Sequence, residues 1–365
     1  MNILAVCRGA PGLGRVAPAL ALTEALAATG GARASFASYG AGARFLAGLG
    51  HDVTDLGSPD GLFIDSVAPQ ALHVLDLARD ADLVLIDGEF FLPVTLAHLD
   101  VPAVVYLANP HDLEGPPNAF RRVNRRLLGY CDAVIISSLA CAEPAPRSDL
   151  VPGTRCLEVP ALCQDIPRGY EPPAGPPRVL VTTGGGSVGS PRLRAETDQA
   201  LERVLDVLAP LAAEGAVGTV LVVPGADTTV PRQQGGGRPW LQVASRPVPL
   251  TSLYCCHDLL ITRAGRNTLA EAACCGIPTV ALPVTADPHR AGEQHANAAA
   301  VAHLPGMFTP RDWHDRDDLL GSVLRALGAA SRGTRSTGQR GNAAAAALAR
   351  ELVPAVSPAD RGAVL

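Results

Sequence analysis

The sequence predicts an α/β protein with two doubly wound parallel sheets that face each other across a cleft. Short apolar runs alternate with helical stretches in both halves, which is typical of parallel strands covered by helices on both faces. Each half opens with a strand, a glycine-rich turn and a helix. A segment rich in proline and glycine, 164–177, separates the halves. The length of 365 residues also fits two domains.

The first domain is predicted to span residues 1–163, followed by a linker at 164–177. Its strands are predicted at 2–7, 34–38, 82–87, 101–107 and 133–137, and its helices at 16–28, 41–49 and 120–129. The second domain is predicted at 178–340, with strands at 178–182, 217–223, 259–262 and 279–282 and helices at 191–209 and 268–275. Residues 341–365 are predicted to form a C-terminal helix (342–352) and a tail, with the helix a candidate for packing back on the first domain.

The chain contains no lysine, and its 30 basic residues are all arginine. This composition excludes a pyridoxal phosphate Schiff base, a Walker A lysine and a kinase-type phosphate lysine. Arginine can still bind a diphosphate, because its planar fork of donors carries a permanent charge. The net charge of −5 does not indicate a nucleic-acid-binding protein, because such proteins typically carry a strongly basic surface.

Nine cysteines occur without a CxxC pair, so a zinc ribbon or a redox motif of that type is not expected. The odd number and the absence of a recognisable secretory signal predict free thiols in a reducing cytoplasm. No apolar run reaches the length of a membrane span. Aspartate pairs at 80/82 and 315/317 resemble the DxD of metal-dependent transferases, but neither is expected to hold a metal.

The sharpest motif runs from Arg263 to Glu271, between a predicted strand and the helix that ends at 276. The N-terminus of a helix presents unpaired N–H groups that favour a phosphate, and Arg263 adds a permanent positive charge. Glu271, about two turns into the helix, can accept both hydroxyls of a ribose. The alternative interpretation is an ordinary strand–turn–helix unit with no ligand.

A polar segment, 287–297, follows the next strand and is predicted to be a sugar-binding loop. Glu293 and Gln294 carry the acceptors and donors that sugar hydroxyls need. A solvated loop before a helix is the alternative. His289 and His295 lie in the same segment, but the spacing of carboxylates around them does not support a metal site.

Together these motifs resemble the GT-B glycosyltransferases, in particular the family 28-like peptidoglycan N-acetylglucosaminyltransferases that make lipid II. The family signature is Arg-Ala-Gly, a helical Glu, Gly-x-Pro, a further Pro and Gln-x-x-Asn-Ala. The corresponding residues here are Arg263-Ala-Gly265, Glu271, Gly276-Ile-Pro278, Pro283 and Gln294-His-Ala-Asn-Ala298. The resemblance implies that 178–340 binds a nucleotide sugar and that 1–163 binds the acceptor.

The resemblance also implies a role for individual donor-site residues. Glu271 would bind the ribose of UDP, and Glu293 and Gln294 would face the donor sugar; the family usually has two glutamines there, which leaves the sugar open. The other implied donor-site residues are Gly14 in the first glycine-rich turn, Gly185, Gly186 and Ser187 at the diphosphate, Val248 at the uracil, and Arg263, Gly265, Arg266 and Asn267 around the helix start.

Many members of the family carry a histidine where Arg15 stands, and an arginine cannot act as a base at neutral pH. Arg15 could instead hold the diphosphate or an acidic group of the acceptor. A replacement base is expected at the strand ends of the first domain, where Asp87, Glu89 and His111 are the candidates.

The sequence therefore predicts an inverting, UDP-sugar-dependent glycosyltransferase that acts on a small-molecule acceptor without a metal or another cofactor. Inversion is expected because Arg263 occupies the position where many retaining GT-B enzymes have a glutamate. The alternatives are a UDP-sugar hydrolase or epimerase of the same fold, and a non-catalytic donor-binding subunit. A helix with Arg121, Arg122, Arg125 and Arg126 leaves contact with a membrane surface open.

Overall fold

A computed structural model describes residues 1–10, 12–57, 67–97, 103–115, 118–165, 170, 174–184, 191–225, 238–245, 248–330 and 339–353, with only the backbone at 67–70, 288 and 289. Within these residues the chain forms two α/β units, each built around one sheet. The glycines and serine predicted at the diphosphate, Gly185, Gly186 and Ser187, lie outside the described residues.

The strands of the first sheet are Asn2–Cys7 (β1), Arg33–Ser38 (β2), Val53–Asp55 (β3), Leu83–Asp87 (β4), Ala103–Ala108 (β5), Ala133–Ser138 (β6), Ala145–Pro146 (β7) and Arg155–Pro160 (β8). Their order is β3-β2-β1-β4-β5-β6-β8-β7. All neighbours run parallel except β7 and β8, which pair antiparallel.

The strands of the second sheet are Arg178–Thr182 (β9), Thr219–Val223 (β10), Leu241–Val243 (β11), Leu259–Arg263 (β12), Thr279–Leu282 (β13) and Met307–Phe308 (β14). Their order is β11-β10-β9-β12-β13-β14, and every pair is parallel. Both sheets are therefore doubly wound, as the alternation of strands and helices predicts.

The helices of the first unit are Val16–Ala28 (α1), Gly40–Gly48 (α2), Val67–Ala78 (α3), Leu92–Leu96 (α4), Pro110–Leu113 (α5) and Ala119–Leu128 (α6). Those of the second are Pro191–Ala213 (α7), Thr251–Tyr254 (α8), Arg266–Cys275 (α9), Pro288–Val301 (α10) and Arg316–Ala330 (α11), and Asn342–Leu352 (α12) follows.

The first sheet is covered on both faces, which explains why its strands are continuously apolar. Ile3 and Ala5 pack into one core together with residues of α1 and α12, whereas Leu4 and Val6 pack into a second core on the opposite face. Fully burying such a side chain contributes about 1.5–3 kcal/mol. A strand buried on both faces cannot alternate polar and apolar residues.

The helix α12 packs on the first unit, although it follows the second unit in the chain. Ala345 and Ala349 are fully buried in the core that contains α1. The Asn342 side chain accepts a hydrogen bond from the Cys163 N–H (3.2 Å) and donates to the Cys163 carbonyl (2.8 Å) and the Ala21 carbonyl (3.3 Å). The start of α12 is thereby fixed to Cys163, the residue that precedes the linker.

One prediction was wrong in its secondary structure: of the polar segment 287–297, residues 288–297 are helical and belong to α10. Asp287 precedes Pro288, the first residue of the helix, and its Oδ1 accepts a hydrogen bond from the Arg290 N–H at 3.1 Å. An aspartate before a proline is a typical helix start, because the carboxylate caps the helix and proline needs no partner in its first turn. The polar composition obscured this signal.

Several elements were not predicted. They are mostly short strands near the sheet edges and helices without strong periodicity: β3, β7, β8, β11, β14, α3, α4, α5, α8 and α11. An edge strand such as β11 has exposed residues, Gln242 and Val243, so its sequence lacks the apolar run that identifies a central strand.

The strand order also determines where a ligand site is expected. In open parallel sheets, ligands bind at the carboxyl ends of strands where the winding reverses. That point lies between β1 and β4 in the first sheet and between β9 and β12 in the second. The turn that contains Arg15 follows β1, Asp87 ends β4, and Arg263 ends β12.

We expect Asn342→Ala to lower the free energy of unfolding by about 1–3 kcal/mol, because it leaves buried backbone groups of Cys163 without hydrogen bonds. Glu351→Ala in the same helix should change it by less than about 1 kcal/mol, since the Arg155–Glu351 pair is exposed. Urea denaturation followed by circular dichroism measures both. Equal effects of the two substitutions would contradict the role given to Asn342.

Candidate interdomain active site

A half-buried arginine lies between two carboxylates at the carboxyl edge of the first sheet. Arg15 Nη1 is 3.2 Å from Asp87 Oδ1 and 2.9 Å from Asp112 Oδ2, and Arg15 Nη2 donates to Asp112 Oδ1 at 3.0 Å. The contact with Asp112 is therefore two-pronged, and that with Asp87 is single. Both aspartates are almost inaccessible, with 1% and 4% of their surface exposed.

The fold delivers these three side chains to one point. Arg15 ends a short 3-10 turn that links β1 to α1, and Asp87 is the last residue of β4. Gly88 follows with φ +92°, a left-handed conformation that lets the chain turn sharply after the strand. Asp112 lies in the first turn of α5. Besides contacting Arg15, its carboxylate accepts a hydrogen bond from the Asn109 N–H at 3.1 Å.

The two aspartates differ in acidity. Burial raises the pKa of Asp87 to about 7, although Arg15 and Arg266 oppose the shift. Burial also acts to raise the pKa of Asp112, but Arg15 and the Asn109 N–H outweigh it and the pKa lies below the usual value. Asp87 is therefore the carboxylate poised to exchange a proton near neutral pH.

Glu89, the second predicted base, lies in a neighbouring polar group. Its Oε1 accepts a hydrogen bond from the Tyr39 hydroxyl at 2.9 Å and lies 3.6 Å from Arg8 Nε. Arg8 also donates to the Gly88 carbonyl. These contacts engage Glu89 within the protein.

Residues of the second unit reach this edge of the first sheet. Arg266 Nη1 donates to the Ser137 carbonyl at the end of β6 (2.8 Å), and Asn267 Nδ2 donates to the Gly14 carbonyl (2.8 Å). Both residues open α9, whose N-cap is Gly265. The predicted donor helix therefore begins against the carboxyl edge of the first sheet, where it contacts the carbonyls of Gly14 and Ser137.

Glu271, the predicted ribose ligand, is buried on α9 with 8% of its surface exposed. The hydroxyl of Tyr254 donates to its Oε2 at 2.8 Å. Burial raises the pKa of Glu271 to about 7, and the hydrogen bond from Tyr254 opposes the shift. Tyr254 thus fixes one carboxylate oxygen of a group that titrates near neutral pH.

The predicted sugar-facing residues lie on α10. Gln294 is buried, and its Oε1 accepts a hydrogen bond from the Val284 N–H at 3.0 Å. Asn297 Nδ2 donates to the Ala264 carbonyl at 3.1 Å. Glu293 is half-buried, and its charge favours the cationic form of Arg266. Two of these amides therefore hold the ends of β12 and β13 in place.

Arg263 was expected to face a diphosphate, but its side chain lies inside the second unit. Its Nη1 donates to Thr197 Oγ1 on α7 at 2.8 Å, and only 8% of the residue is exposed. Burial, and secondarily Arg290, lower its pKa to about 10, so it remains a cation at neutral pH. Its buried Nε makes no hydrogen bond within the described part of the chain.

Glu196, next to Thr197, anchors the segment after β13. Its carboxylate accepts hydrogen bonds from the Thr285 N–H, from Thr285 Oγ1 (2.6 Å) and from the Ala286 N–H (3.0 Å). The start of α7 therefore holds both Arg263 and the chain that leads into α10.

The remaining predicted residues are His111, Val248 and the arginines of α6. His111 is half-buried on α5, and it is the neighbouring Asp112 that contacts Arg15. Val248 is half-buried three residues before α8. In the arginine-rich helix α6, Arg125 and Arg121 turn inward to the carbonyls of Leu113 and His111, and Arg122 and Arg126 are exposed.

Sequence reasoning missed Asp112, Tyr254 and Glu196. Asp112 stands three residues after Asn109, and the pair forms a capping box in which each side chain binds the other's backbone N–H. That spacing could have identified the direction of the Asp112 side chain. No local signal in the sequence links Tyr254 to Glu271, which is 17 residues away.

Among the described residues, no group of three or more histidine, cysteine, aspartate or glutamate side chains is arranged to hold a metal ion. Asp82 and Asp315, from the two DxD-like pairs, accept hydrogen bonds from the N–H groups of Asn2 (2.7 Å) and Asp317 (2.8 Å). Of the helices in that part of the chain, none is long and apolar enough to cross a membrane.

Comparison with known proteins supports the family resemblance. Residues 181–313 match the glycosyltransferase family 28 C-terminal domain. The UDP-N-acetylglucosamine--N-acetylmuramyl-(pentapeptide) pyrophosphoryl-undecaprenol N-acetylglucosamine transferase of Synechococcus sp. (strain CC9902) is 30% identical over 235 residues, which cover 63% of this chain and 58% of that protein. The chain thus spans somewhat more than half the length of this relative. The resemblance to family 28-like glycosyltransferases is confirmed.

Solved structures share the architecture across the whole chain. The glycotransferase of kitacinnamycin has a TM-score of 0.64 at 17% identity, with 97% of this chain and 99% of that chain covered. The spinosyn rhamnosyltransferase SpnG, complexed with thymidine diphosphate, has a TM-score of 0.57 at 18% identity, with 97% and 96% covered. The predicted GT-B fold is confirmed.

The pKa of Asp87 predicts a pH-dependent stability. Because the folded value (about 7) lies above the ~3.9 of an unfolded aspartate, the folded protein holds an extra proton between these values. Raising the pH from 5 to 8 removes it and should lower the free energy of unfolding by about 2–3 kcal/mol. The free energy of unfolding of Asp87→Asn should lack this pH dependence. Its pH profile should therefore diverge from that of the parent protein.

Urea denaturation at pH 5, 6, 7 and 8 measures the two profiles. Asp317→Asn serves as the control, because the side chain of Asp317 is 91% exposed. Parallel profiles for the parent protein and Asp87→Asn would show that Asp87 is ionised throughout this range.

Proposed function

We propose that the chain is a glycosyltransferase that moves a sugar from a UDP-sugar to a small-molecule acceptor with inversion at the anomeric carbon. One observation carries the proposal: the start of α9, the predicted donor helix, bonds to carbonyls at the carboxyl edge of the first sheet, and its Arg266 interacts electrostatically with the buried Asp87 and Asp112 at that edge. A donor at α9 and an acceptor at the first sheet would meet there. The family 28 C-terminal domain at 181–313 supports the donor half of this assignment.

The donor would lie along α9 and the turn after β9. Glu271 would accept hydrogen bonds from the ribose hydroxyls through the carboxylate that Tyr254 orients. The N-terminus of α9 would face the diphosphate, where unpaired N–H groups favour negative charge. This charge and nearby arginines would stabilise the leaving UDP, so the proposal requires no metal ion or other cofactor.

In the transfer step an acceptor hydroxyl attacks the anomeric carbon, the bond from that carbon to the diphosphate oxygen breaks, and UDP leaves. The hydroxyl proton passes to a base of the first unit. Asp87 suits this task better than the other two candidates, because its pKa is close to neutral and its charge interacts with Arg266 of the second unit. Glu89 is engaged by Tyr39 and Arg8.

Two comparisons point to different acceptors. The Synechococcus enzyme acts, by its name, on a pyrophosphoryl-undecaprenol substrate, but it is matched over 58% of its length. The kitacinnamycin and spinosyn enzymes are similar over nearly their whole length and are named for small natural products. We therefore favour a small-molecule acceptor, and Arg15 in place of the family's histidine supports a departure from the peptidoglycan enzymes.

Product analysis tests the proposal. The protein is incubated with UDP-glucose, UDP-N-acetylglucosamine or TDP-glucose, with and without a panel of hydroxylated small molecules and a lipid-linked muramyl acceptor. We expect UDP release that depends on a small-molecule acceptor. Equal UDP release without any acceptor would favour a hydrolase, and transfer only to the lipid would overturn the acceptor assignment.

We expect Glu271→Ala to weaken the binding of UDP by about 1–3 kcal/mol, because the ribose hydroxyls lose their acceptor. Isothermal titration calorimetry measures the affinity, and Glu202→Ala on the exposed face of α7 is the matched control. If Glu271→Ala binds UDP as tightly as the parent protein, the ribose assignment is wrong.

Among the candidate bases, Asp87→Asn should cost the most turnover. A general base contributes roughly 10²–10⁴-fold, so kcat should fall by that factor while UDP affinity stays within about twofold. Glu89→Gln and His111→Asn are the comparison variants, measured at saturating donor. A larger loss in either of these would move the assignment to that residue.

The anomeric configuration should invert, so an α-linked UDP-glucose should give a β-linked product. The reason is that Arg263 leaves no carboxylate at the position where many retaining enzymes have one. Glu293, on the neighbouring helix α10, is the carboxylate that could substitute for it. Proton NMR of the product gives the answer. A small anomeric coupling, which indicates an α-glucoside, would show retention.

A further inference from the structure

Two cysteines from different units of the fold meet in the interior. Cys163 lies at the start of the linker, after β8, and Cys274 lies in the last turn of α9. Their Sγ atoms are 3.4 Å apart although the residues are separated by 111 positions. Both are buried, with 1% and 5% of their surface exposed. All nine cysteines of the chain are free thiols.

The surroundings hold the two sulfurs in place. Asn342 binds both the N–H and the carbonyl of Cys163, so this residue is fixed to α12. Cys274 is carried by a helix whose first residues, Arg266 and Asn267, are already bonded to the first unit. The short separation is therefore built into the contact between the two units.

The pair is also chemically unequal. The two thiols share a hydrogen bond in which either sulfur can be the donor. This hydrogen bond and the nearby Arg340 lower the pKa of Cys274. The same hydrogen bond, together with burial, raises the pKa of Cys163. Cys274 is thus the better nucleophile, and Cys163 is the resolving thiol that reacts second. This division of roles is typical of cysteine pairs that form disulfides.

We propose that Cys163 and Cys274 form a redox modification site at which a small hydroperoxide closes a disulfide between the two units. The thiolate of Cys274 attacks one peroxide oxygen, the O–O bond breaks, and water is released after protonation. The sulfur of Cys163 then attacks the Cys274 sulfenic acid, an S–S bond forms, the S–O bond breaks, and a second water leaves. Two thiols are oxidised by two electrons, and hydrogen peroxide is reduced to two waters.

Forming the bond requires the sulfurs to approach by about 1.4 Å, because an S–S bond is about 2.05 Å long. A shift of that size at the last turn of α9 lies close to Glu271, one turn earlier on the same helix. The disulfide would tie α9 to the first unit at its C-terminal end as well as at its N-terminal end. Relative motion of the units would then be restricted.

The cross-link itself is tested without reference to activity. The protein is treated with hydrogen peroxide, blocked with iodoacetamide, and cut with trypsin, which cleaves this chain only after arginine. We expect peptides 156–168 and 267–290 to appear joined, lighter by two hydrogens than their sum, and separated by dithiothreitol. Cys274→Ser and Cys163→Ser should abolish the joined species.

Cys275→Ser is the matched control, since Cys275 is the buried neighbour of Cys274 on the same peptide. This variant should form the joined peptides as the parent protein does. A joined species that survives in Cys274→Ser, or peroxide treatment that yields only sulfinic acid or unmodified thiols, would overturn the proposal.

The functional consequence rests on the proposed transferase activity and is measured separately. Oxidised parent protein and oxidised Cys275→Ser should lose turnover and recover it with dithiothreitol, whereas Cys163→Ser should keep its turnover after peroxide. Unchanged turnover in a protein shown to be cross-linked would overturn the restriction of motion. Absence of activity before oxidation would instead count against the proposed function.

Discussion

A guanidinium shared by two buried carboxylates is the interaction on which the rest of the candidate site depends. A charge is expensive to bury unless it is paired and hydrogen-bonded. Arg15 meets this condition because the chain after β4 and β5 delivers Asp87 and Asp112 to the same point. Asp112 takes both prongs of the arginine, which leaves Asp87 with a single contact and a pKa near 7. The two aspartates thus differ in pKa because their contacts with the surrounding groups differ.

The same interaction links the two units electrostatically. Arg266, at the start of α9, is one of the cations that lower the pKa of Asp87 against the effect of burial. Because Arg266 belongs to the second unit, that unit supplies part of the positive charge that acts on Asp87. The pKa of Asp87 therefore depends on the position of the second unit. The arrangement of the two units is in this way coupled directly to the protonation of a carboxylate.

The strands buried on both faces and the start of α9 could be predicted from the sequence, because their signals are local: continuous apolar runs, and a strand–turn–helix with fixed spacing. The same reasoning selected His111 rather than Asp112, although the capping-box spacing of Asn109 and Asp112 indicates the direction of the aspartate side chain. It could not find the bond between Tyr254 and Glu271, which depends on how α8 packs against α9. Arg263 was placed correctly at a strand end, but the direction of its side chain follows from Thr197 on another helix.

The position of α12 has a consequence for the connectivity of the molecule. Because this helix packs on α1 and β8, the chain passes from the first unit to the second and back again, and the two passages lie side by side where Asn342 meets Cys163. In topological terms the second unit is an insertion within the first. Replacing it with its counterpart from another protein therefore requires two junctions, one near 163 and one near 341. A single cut in the linker would separate the first unit from α12 and expose the apolar faces that this helix covers.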